Sequence, residues 1–339
     1  MSIIRPVKTS DLSQLVELSN LAGHGLTTLS SDPERLKQQI TLSEQSFKKT
    51  VSQPEHEYYL FVLEDSESGD VIGTSALEAA VGMSEPFYTY KVGTNVHSSR
   101  KLGIYNPMEI LLLGNDYTGT TELCTLFLSP KYRRGLNGRL LSKSRFLFMA
   151  QFRERFADRV IAEMRGYSDE NGRSPFWDAL GSKFFSLSFS EADRISGLGS
   201  NQFIAELMPR YPVYVSLLPK AAREVIGRTH PDTFPALKLL KRDGFRYQGY
   251  VDIFDAGPTI ECYTDNISTI KASQLYRVTI SDKATQSTQA YFISNTEKDA
   301  FRATLGTLEK VTHDQVLMSQ QMADKLNIND ADFIRATAI

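Results

Sequence analysis

The segment LFLSPKYRRGLNGRLL, residues 126–141, connects an apolar strand pattern to an apolar helix pattern through a short basic turn. The first N–H groups of a helix lack partners within the helix, and the helix dipole favours an anion there. Arginine side chains next to such groups can clamp a phosphate with paired hydrogen bonds. Arg133 and Arg134, flanked by Gly135 and Gly138, therefore predict an anion site between the strand and the helix.

Two common nucleotide-binding motifs do not fit this turn. The dinucleotide motif G-x-G-x-x-G is absent, and Lys143-Ser144 follows Gly138 at the wrong spacing for a P-loop. A solvated basic turn that binds nothing is the alternative interpretation.

Composition limits the classes of protein that need to be considered. With 339 residues and 41% hydrophobic residues, the chain can form one large domain with an appendage, or two domains. A net charge of −2 argues against a general nucleic-acid binder. Cys124 and Cys262 form neither a metal-ligand spacing nor a disulfide framework, which fits a reducing cytosol. Neither a signal peptide nor a membrane-spanning run of about 18–20 apolar residues is found, so we expect a soluble, cytoplasmic protein that does not bind membranes.

Hydrophobic periodicity predicts a mixed succession of strands and helices. Helices are expected at residues 33–49 and after residue 128, and two short helices, at 174–181 and 233–244, are each followed by glycine and an aromatic strand (FFSLSF and FRYQGYVDIF). This similarity is either a weak internal repeat or a common helix–strand connection. We expect a main region at residues 1–258, with a possible second half-repeat at 200–258, and a small β-rich region at 259–339. Strands are expected at residues 2–7, 58–65, 71–77, 87–96, 122–128 and 159–164.

The strand, the proline, the basic glycine turn and the following helix resemble the coenzyme A pyrophosphate loop of the GNAT superfamily of acyl-CoA N-acyltransferases. The segments ELCTLFLSP, AEMRGYSDENGRSPFWDALG, VIGRTHPDT and GFRYQGYVDIFDAGPTIEC resemble the arginine N-succinyltransferase family, over nearly the whole chain. The resemblance implies an α+β fold with a GNAT-like mixed, mostly antiparallel central sheet flanked by helices, and a small C-terminal β-rich appendage. It also implies transfer of succinyl from succinyl-CoA to the α-amine of L-arginine, in arginine catabolism.

One residue of the loop departs from the family pattern. The family has R-x-x-G-N-G, and here Leu136 stands where the first of those glycines is expected, with Gly135 one place earlier. A Cβ atom disfavours positive φ and close backbone approach. Either Gly135 adopts the demanding conformation, or coenzyme A binding is weaker.

Proton transfer requires a base for the amine and an acid for the departing thiolate. His230, in GRTHPDT, matches the histidine that the family uses as its acid/base, and its position next to a helix N-terminus favours the neutral imidazole. A histidine that only caps the loop is the alternative. By the same resemblance, the backbone of the strand residues and the loop side chains are expected to bind coenzyme A. The expected contacts are Leu126, Leu128, Arg133, Arg134, Asn137, Gly138 and Arg139.

A guanidinium-bearing acceptor calls for carboxylates. The candidates are Glu122, Glu163, Asp252 and Asp255, with His24 in a loop that either closes over the amino acid or is an ordinary connection between two helices. Each acid can instead be an ordinary capping or surface carboxylate. No metal and no prosthetic group is expected, and succinyl-CoA acts as a co-substrate.

Direct attack in a ternary complex is favoured over an acyl-cysteine, because Cys124 lies in an apolar strand without a neighbouring histidine. Two alternatives stay open: another acceptor (ornithine, a polyamine) or acyl group, and a non-catalytic acyl-CoA-binding subunit of a heteromer. A homo- or hetero-oligomer is expected.

Overall fold

The structure is a computed structural model that describes residues 2–22, 28–170, 172–189, 191–192, 195, 202–281 and 288–339. Its helices are α1 (Leu12–Ala22), α2 (Pro33–Lys48), α3 (Asn137–Gln151), α4 (Pro175–Ala179), α5 (Ser182–Phe185), α6 (Gln202–Leu207), α7 (Lys220–Arg223), α8 (Phe234–Arg242), α9 (Ser268–Ala272) and α10 (Gln320–Leu326). The strands of the first half are β1 (Ser2–Pro6), β2 (Tyr58–Asp65), β3 (Val71–Glu78), β4 (Thr89–Ser99), β5 (Ile104–Gly114), β6 (Thr121–Leu128) and β7 (Arg159–Glu163). The remaining strands are β8 (Val213–Tyr214), β9 (Arg246–Val251), β10 (Pro258–Tyr263), β11 (Gln274–Ile280), β12 (Ala290–Asn295), β13 (Ala303–Thr307), β14 (Glu309–Lys310), β15 (Gln315–Met318) and β16 (Phe333–Ala338).

The described strands form one continuous sheet in the order β14-β15-β11-β16-β12-β13-β1-β2-β3-β6-β7-β10-β9-β4-β5-β8. Most neighbours are antiparallel, and the parallel pairs are β6 with β7 and β11 with β15. The predicted α+β class with a mixed, mostly antiparallel central sheet is confirmed.

Both faces of the central strands are covered by helices, and strand β2 shows how the sequence specifies this. Its residues alternate between the two faces. Tyr59 and Phe61 pack in the core that contains α3, and Leu60 and Val62 pack in the core that contains α1 and α2. A strand buried on both faces reads as a continuous apolar run, as YYLFVL does.

Helix α3 has apolar side chains around most of its circumference, because it lies between the central strands and the C-terminal strands. Phe148 packs edge-on against Phe61 at 5.2 Å and against Phe301 at 5.1 Å between ring centroids. Strand β1 pairs with β13, which joins the C-terminal strands to the central sheet.

Most of the predicted elements are found within a few residues of their expected ends. The aromatic strand predicted for FFSLSF is wrong: its first residues belong to helix α5, and Phe185 stacks near Trp177, with ring centroids 5.3 Å apart. A Cβ atom on Gly181 would lie 2.2 Å from the Trp177 ring, so the glycine permits this close packing and is not a helix-to-strand junction. The two segments that resembled each other in sequence therefore differ in structure. The half-repeat at 200–258 stays a prediction.

Strand β10 pairs with β7 on one side and with β9 on the other. The TIECY segment, which opens the predicted C-terminal region, thus lies within the central part of the sheet.

Candidate active site

A cavity of about 310 Å³ opens where the parallel strands β6 and β7 diverge. The two strands are registered only at Thr121 with Val160 and Glu122 with Ile161, and β6 continues for six more residues without this partner. The cavity is lined by β6, by the end of β7, by Arg145 of α3, and by Ala236 and Leu240 of α8.

A β-bulge in β6 faces this cavity. Thr74 is registered with Phe127 and Ala76 with Cys124, so Thr125 and Leu126 together lie opposite Ser75. Thr125 has φ of 54°, a left-handed conformation that costs a β-branched residue about 1–2 kcal/mol. Its carbonyl accepts a hydrogen bond from Thr74 Oγ1 (2.9 Å), its N–H donates to Thr28 Oγ1 (3.1 Å), and its hydroxyl bonds the Tyr58 hydroxyl (2.8 Å). These contacts hold the kink in β6 where the strand faces the cavity.

The backbone of the basic turn after β6 shows how the chain accommodates Leu136 where the family pattern has a glycine. Gly135 has φ of 59°, whereas Leu136 has φ of −109°, which any residue adopts. Gly135 therefore takes the left-handed position, as in the first of the two predicted outcomes. Helix α3 begins at Asn137, so its unpaired N–H groups point toward this turn.

The predicted coenzyme A contacts differ in how free they are to bind. Arg134 is exposed, and exposed Arg133 lines the cavity while its Nε donates to the Leu128 carbonyl (3.0 Å). The Arg139 guanidinium lies over the Phe292 ring, 5.5 Å from the centroid. The Asn137 amide donates to the Tyr132 carbonyl (3.1 Å) and accepts from Ser2 Oγ (3.3 Å), so it orders the loop.

The other residues predicted to contact coenzyme A, in β6 and in the loop, can do so only through their backbone. Leu126 and Leu128 pack their side chains against the core around α3, which leaves only their backbone for ligand contacts. A Cβ atom on Gly138 would meet only Leu128, at 3.9 Å, so the backbone there is open.

The predicted acid Glu122 lies in the cavity and is paired with a second acid that the sequence did not reveal. Glu78, at the end of β3, is directly opposite Glu122 across the strand pair. Burial raises the pKa of Glu78 to about 7. Burial, together with the neighbouring Glu78, raises the pKa of Glu122 to about 8.

Glu163, Asp252 and Asp255 also line the cavity, but with different hydrogen bonding. Asp255 accepts from the N–H groups of Gly166 (2.6 Å) and Gly257 (2.7 Å), so both of its oxygens serve the backbone. Asp252 Oδ1 accepts from the N–H groups of Phe254 and Asp255. Within the described residues no donor reaches Glu163 Oε1, and burial and then Asp252 raise the pKa of Glu163 well above its ordinary range. Glu163, which lines the cavity, thus keeps one carboxyl oxygen without a donor from the described residues.

His230 is mostly buried beside the cavity, at the start of the turn Pro231–Thr233 that leads into α8. Its backbone N–H donates to the Arg165 carbonyl (2.8 Å), just beyond β7. Burial, together with the Arg165 cation, lowers the pKa of His230, so the imidazole is neutral at pH 7. Two residues further on, Asp232 lines the cavity itself.

The backbone N–H and the side-chain carboxylate of Asp232 both face Nδ1 of His230. The Asp232 N–H donates to Nδ1 at 3.3 Å, which places the proton of the neutral ring on Nε2. Acceptance of a proton at Nε2 needs the other tautomer, and in that tautomer the Nδ1–H would face the Asp232 carboxylate, 3.7 Å away. The Asp232 N–H therefore stabilises the tautomer with its proton on Nε2, and the Asp232 carboxylate can stabilise a proton on Nδ1.

Cys124 is a buried free thiol, and burial raises its pKa well above the ordinary value. His24 lies outside the described residues. Among the side chains that the structure describes, no group of three or more His, Cys, Asp or Glu residues is arranged to hold a metal ion. None of the described helices is both long and apolar enough to cross a bilayer.

Sequence reasoning missed three residues of this site: Glu78, Asp232 and Arg145. Arg145 gave a usable signal, since it is the charged residue within the apolar stretch RFLFM of α3. Glu78 gave none, because its pairing with Glu122 depends on the register that the bulge sets.

Comparison with known proteins gives a consistent result over the whole chain. Residues 2–269 match the family model described as "Arginine N-succinyltransferase beta subunit", and residues 274–338 match the model of that subunit's C-terminal domain. An arginine N-succinyltransferase of Enterobacter sp. (strain 638) is 47% identical over 335 residues, which are 99% of this chain and 97% of that protein. Its counterpart in Escherichia coli (strain 55989 / EAEC) is 46% identical over the same shares.

A solved structure is similar over the full length. The arginine/ornithine succinyltransferase subunit AI from Pseudomonas aeruginosa superposes with a TM-score of 0.90 at 39% identity, covering 100% of this chain and 98% of that one.

Proposed function

The chain belongs to the arginine N-succinyltransferase family, and we propose that it transfers the succinyl group of succinyl-CoA to the α-amino group of L-arginine. The products are N2-succinyl-L-arginine and free coenzyme A. The proposal rests on one arrangement: a basic helix N-terminus, a kinked strand and a buried acid cluster lie around a single cavity. The full-length relatives of this chain carry the name of that enzyme.

Coenzyme A binds with its diphosphate at the basic turn. Arg134 and Arg133 supply cations, and the first N–H groups of α3 together with the open backbone at Gly138 supply donors. From there the pantetheine arm enters the gap between β6 and β7. The bulge then directs the backbone of Leu126 toward the thioester carbonyl, where an N–H group stabilises the oxyanion of the tetrahedral intermediate.

The acceptor arginine binds at the acid cluster. Glu163, whose Oε1 has no donor among the described residues, and Glu122 become ionised when the guanidinium arrives, because a nearby cation lowers the pKa of each carboxyl. Asp255 and Asp252 fix the backbone around this pocket, through the hydrogen bonds described above.

His230 moves protons between the amine and the thiolate. The α-ammonium group must lose a proton before nitrogen attacks the carbonyl carbon, and the N–C bond then forms as the C–S bond breaks. Neutral His230 accepts a proton from the amine side at Nε2, and the resulting imidazolium gives it to the departing sulfur. Asp232 stabilises the Nδ1–H that this requires. Overall, two protons leave the ammonium group; one ends on sulfur and the other goes to solvent.

Attack occurs directly in a ternary complex and not through an acyl-cysteine. Cys124 lacks the low pKa of a nucleophilic thiol, since burial favours its neutral form. A Cys124→Ala variant should therefore keep near-normal turnover. Trapping of a succinyl-cysteine would contradict this step.

Ornithine is a second candidate acceptor, because the Pseudomonas aeruginosa relative is named for both amino acids. That name and the family description both contain the word "subunit", which supports assembly with like or similar chains. A cytoplasmic location, where succinyl-CoA is available, completes the proposal.

Steady-state turnover with an amine panel tests the proposal directly. Arginine, ornithine, agmatine and a polyamine are each offered with succinyl-CoA and with acetyl-CoA, and the product is identified by mass. The proposal requires N2-succinyl-arginine as the main product. Tight coenzyme A binding by calorimetry without turnover of any amine would instead favour a non-catalytic subunit.

A further inference from the structure

Arg145 is a buried cation whose guanidinium is largely without partners in the described part of the chain. It is 1% exposed, lies in the middle of α3 and lines the cavity. Among the described residues, neither Nε nor one terminal nitrogen of Arg145 has a hydrogen-bond partner.

The Asp243 carboxylate does not neutralise this charge. Asp243 interacts with Arg145 only at a distance, since both of its carboxylate oxygens accept hydrogen bonds from Lys143 Nζ, at 2.7 and 2.6 Å. Thr269 Oγ1 donates to the same carboxylate at 2.6 Å. Asp243 is therefore already satisfied.

Arg155 provides a comparison within the same chain. It is 2% exposed, and its guanidinium donates to the Tyr59 hydroxyl and to the carbonyls of Ser46 and Lys49, at 2.8–2.9 Å. Three N–H groups of the buried Arg155 are thus bonded to acceptors, whereas neither Nε nor one terminal nitrogen of Arg145 has an acceptor among the described residues. Burial lowers the pKa of Arg145 to about 10, which leaves it charged at neutral pH.

A buried charge without a partner is strongly unfavourable, and an apolar side chain of similar size would be more stable there. The position calls for an anionic group that enters the cavity with a ligand. The coenzyme A diphosphate is excluded by distance, because eight residues of helix separate Arg145 from Asn137, about 12 Å along the axis.

We propose that Arg145 binds the free carboxylate of the succinyl group and so selects a dicarboxylic over a monocarboxylic acyl donor. This assignment rests on the proposed function. The bulge places the thioester carbonyl near Leu126, and Arg145 lines the same cavity as Leu126 and as Cys124, two residues earlier on β6. The two methylene groups of succinyl carry its carboxylate from the carbonyl into this part of the cavity. A forked guanidinium can then bind it through two hydrogen bonds.

Acyl preference is the property that tests this assignment. Values of kcat/KM are measured with succinyl-CoA and with butyryl-CoA, in which a methyl group replaces the carboxylate, for the wild type, Arg145→Met and Arg145→Lys. We expect Arg145→Met to reduce the succinyl-to-butyryl ratio on the order of 100-fold, and Arg145→Lys to reduce it less. An unchanged ratio would overturn the assignment.

Arg155→Met is the matched control. It removes an equally buried arginine and should lower the melting temperature without changing the acyl preference. Arg145→Met should melt at the same temperature as the wild type or higher, because it removes an unpaired buried charge. Strong destabilisation by Arg145→Met, with equal losses for both acyl donors, would mean that Arg145 is structural.

The α-carboxylate of arginine is the other anion that can reach this cavity. Agmatine, which lacks that carboxylate, separates the two: if Arg145 binds the acceptor, the loss in Arg145→Met disappears with agmatine, and the assignment fails. Failure of the proposed function is visible separately, as absence of arginine succinylation by the wild type. In that case, calorimetry with a non-hydrolysable succinyl-CoA analogue and with coenzyme A still tests Arg145, because only the former should bind less tightly to Arg145→Met.

Discussion

Glu78 and Glu122 lie directly opposite each other across strands β3 and β6, and no basic side chain among the described residues offsets the burial of either. Their pKa values, about 7 and about 8, mean that the folded protein holds both carboxyls protonated at mildly acidic pH. The pair is neutral at mildly acidic pH and becomes an anionic site when a cation arrives or the pH rises.

Stability should therefore fall as pH rises across this range. Between pH 4.5, the ordinary value for glutamate, and about 8, the folded state binds more protons than the unfolded state, so the free energy of unfolding decreases with pH and levels off above about 8. Glu122→Gln should remove much of this slope and stabilise the protein at pH 8 by on the order of 2 kcal/mol. Denaturant unfolding from pH 5 to 9 measures this, and the exposed Glu17→Gln is the control. An unchanged slope in Glu122→Gln would contradict the raised pKa.

Acceptor affinity should have the opposite pH dependence. Arginine binds better to ionised carboxylates, so its KM should fall as pH rises from 6 to 8. Glu163→Gln should raise KM for arginine by about 10- to 100-fold, because a charge-assisted hydrogen bond contributes roughly 1.5–3 kcal/mol. Substitution of the exposed Glu85 by Gln should leave KM unchanged. A normal KM in Glu163→Gln would remove Glu163 from the acceptor site.

The sequence predicted the strand, turn and helix of residues 126–141 better than the composition of the acid cluster around the cavity, for a physical reason. A strand, a glycine turn and a helix are contiguous, so residues 126–141 carry their own geometry. The acid cluster combines β3, β6, β7 and the segment after β9, and its composition depends on sheet register. Glu78 reaches Glu122 only because the bulge at Thr125 shifts that register by one residue.

Strand β5 shows that the fold, too, could not be predicted fully from local sequence. Pro107 argues against a strand in IYNPMEILLLG, yet the residue pairs opposite Val96 in a long hairpin. FFSLSF has the composition of a strand, but the packing of Phe185 against Trp177 makes its first turn helical. In both cases tertiary contacts outweigh local preference.

Charge reversal in the basic turn should weaken coenzyme A binding selectively. Arg134→Glu and Arg133→Glu should each raise the Kd for coenzyme A by about 10- to 100-fold at low salt, and less at high salt, because salt screens exposed charges. Arg139→Glu should have a smaller effect, since Arg139 is half-buried with its guanidinium over Phe292, whereas Arg133 and Arg134 are exposed. Calorimetry measures the affinities, and Arg100→Glu, exposed in the β4–β5 turn, is the control. Unaltered affinity in both Arg133→Glu and Arg134→Glu would place the diphosphate elsewhere.

The pH–rate profile should identify His230, because two substitutions next to it should shift the acid limb of the profile in opposite directions. Activity is lost as pH falls through the lowered pKa of the imidazole, so the acid limb should lie below pH 6.5. Asp232→Asn removes a charge that raises this pKa and should move the limb to lower pH, with kcat reduced about 10-fold. Arg165→Gln removes the cation that lowers it and should move the limb to higher pH.

His230→Ala should lower kcat by about 100-fold or more without a matching loss of stability. If the acid limb stays in place in both Asp232→Asn and Arg165→Gln, another group governs the profile.

The buried ion pair of Lys143 and Asp243 fixes the two helices that flank the cavity. Lys143 lies on α3, and Asp243 directly follows α8 and also bonds Thr269 of α9. Asp243→Ala leaves the Lys143 ammonium nearly buried without its partner, which should reduce the free energy of unfolding by about 3–5 kcal/mol. Because α3 and α8 then lose this polar connection, KM for succinyl-CoA should rise by a larger factor than kcat falls.

A double variant separates the charge from the connection. Lys143→Met combined with Asp243→Leu removes both charges, so most of the stability should return relative to Asp243→Ala, as replacement of a buried pair by apolar residues is often neutral. If the stability returns to that of the wild type while KM stays raised, the polar connection itself sets the width of the cavity. If both the stability and KM return to wild-type values, packing between α3 and α8 is enough to set that width. Should Asp243→Ala alone be as stable as the wild type, the pair does not hold these helices together.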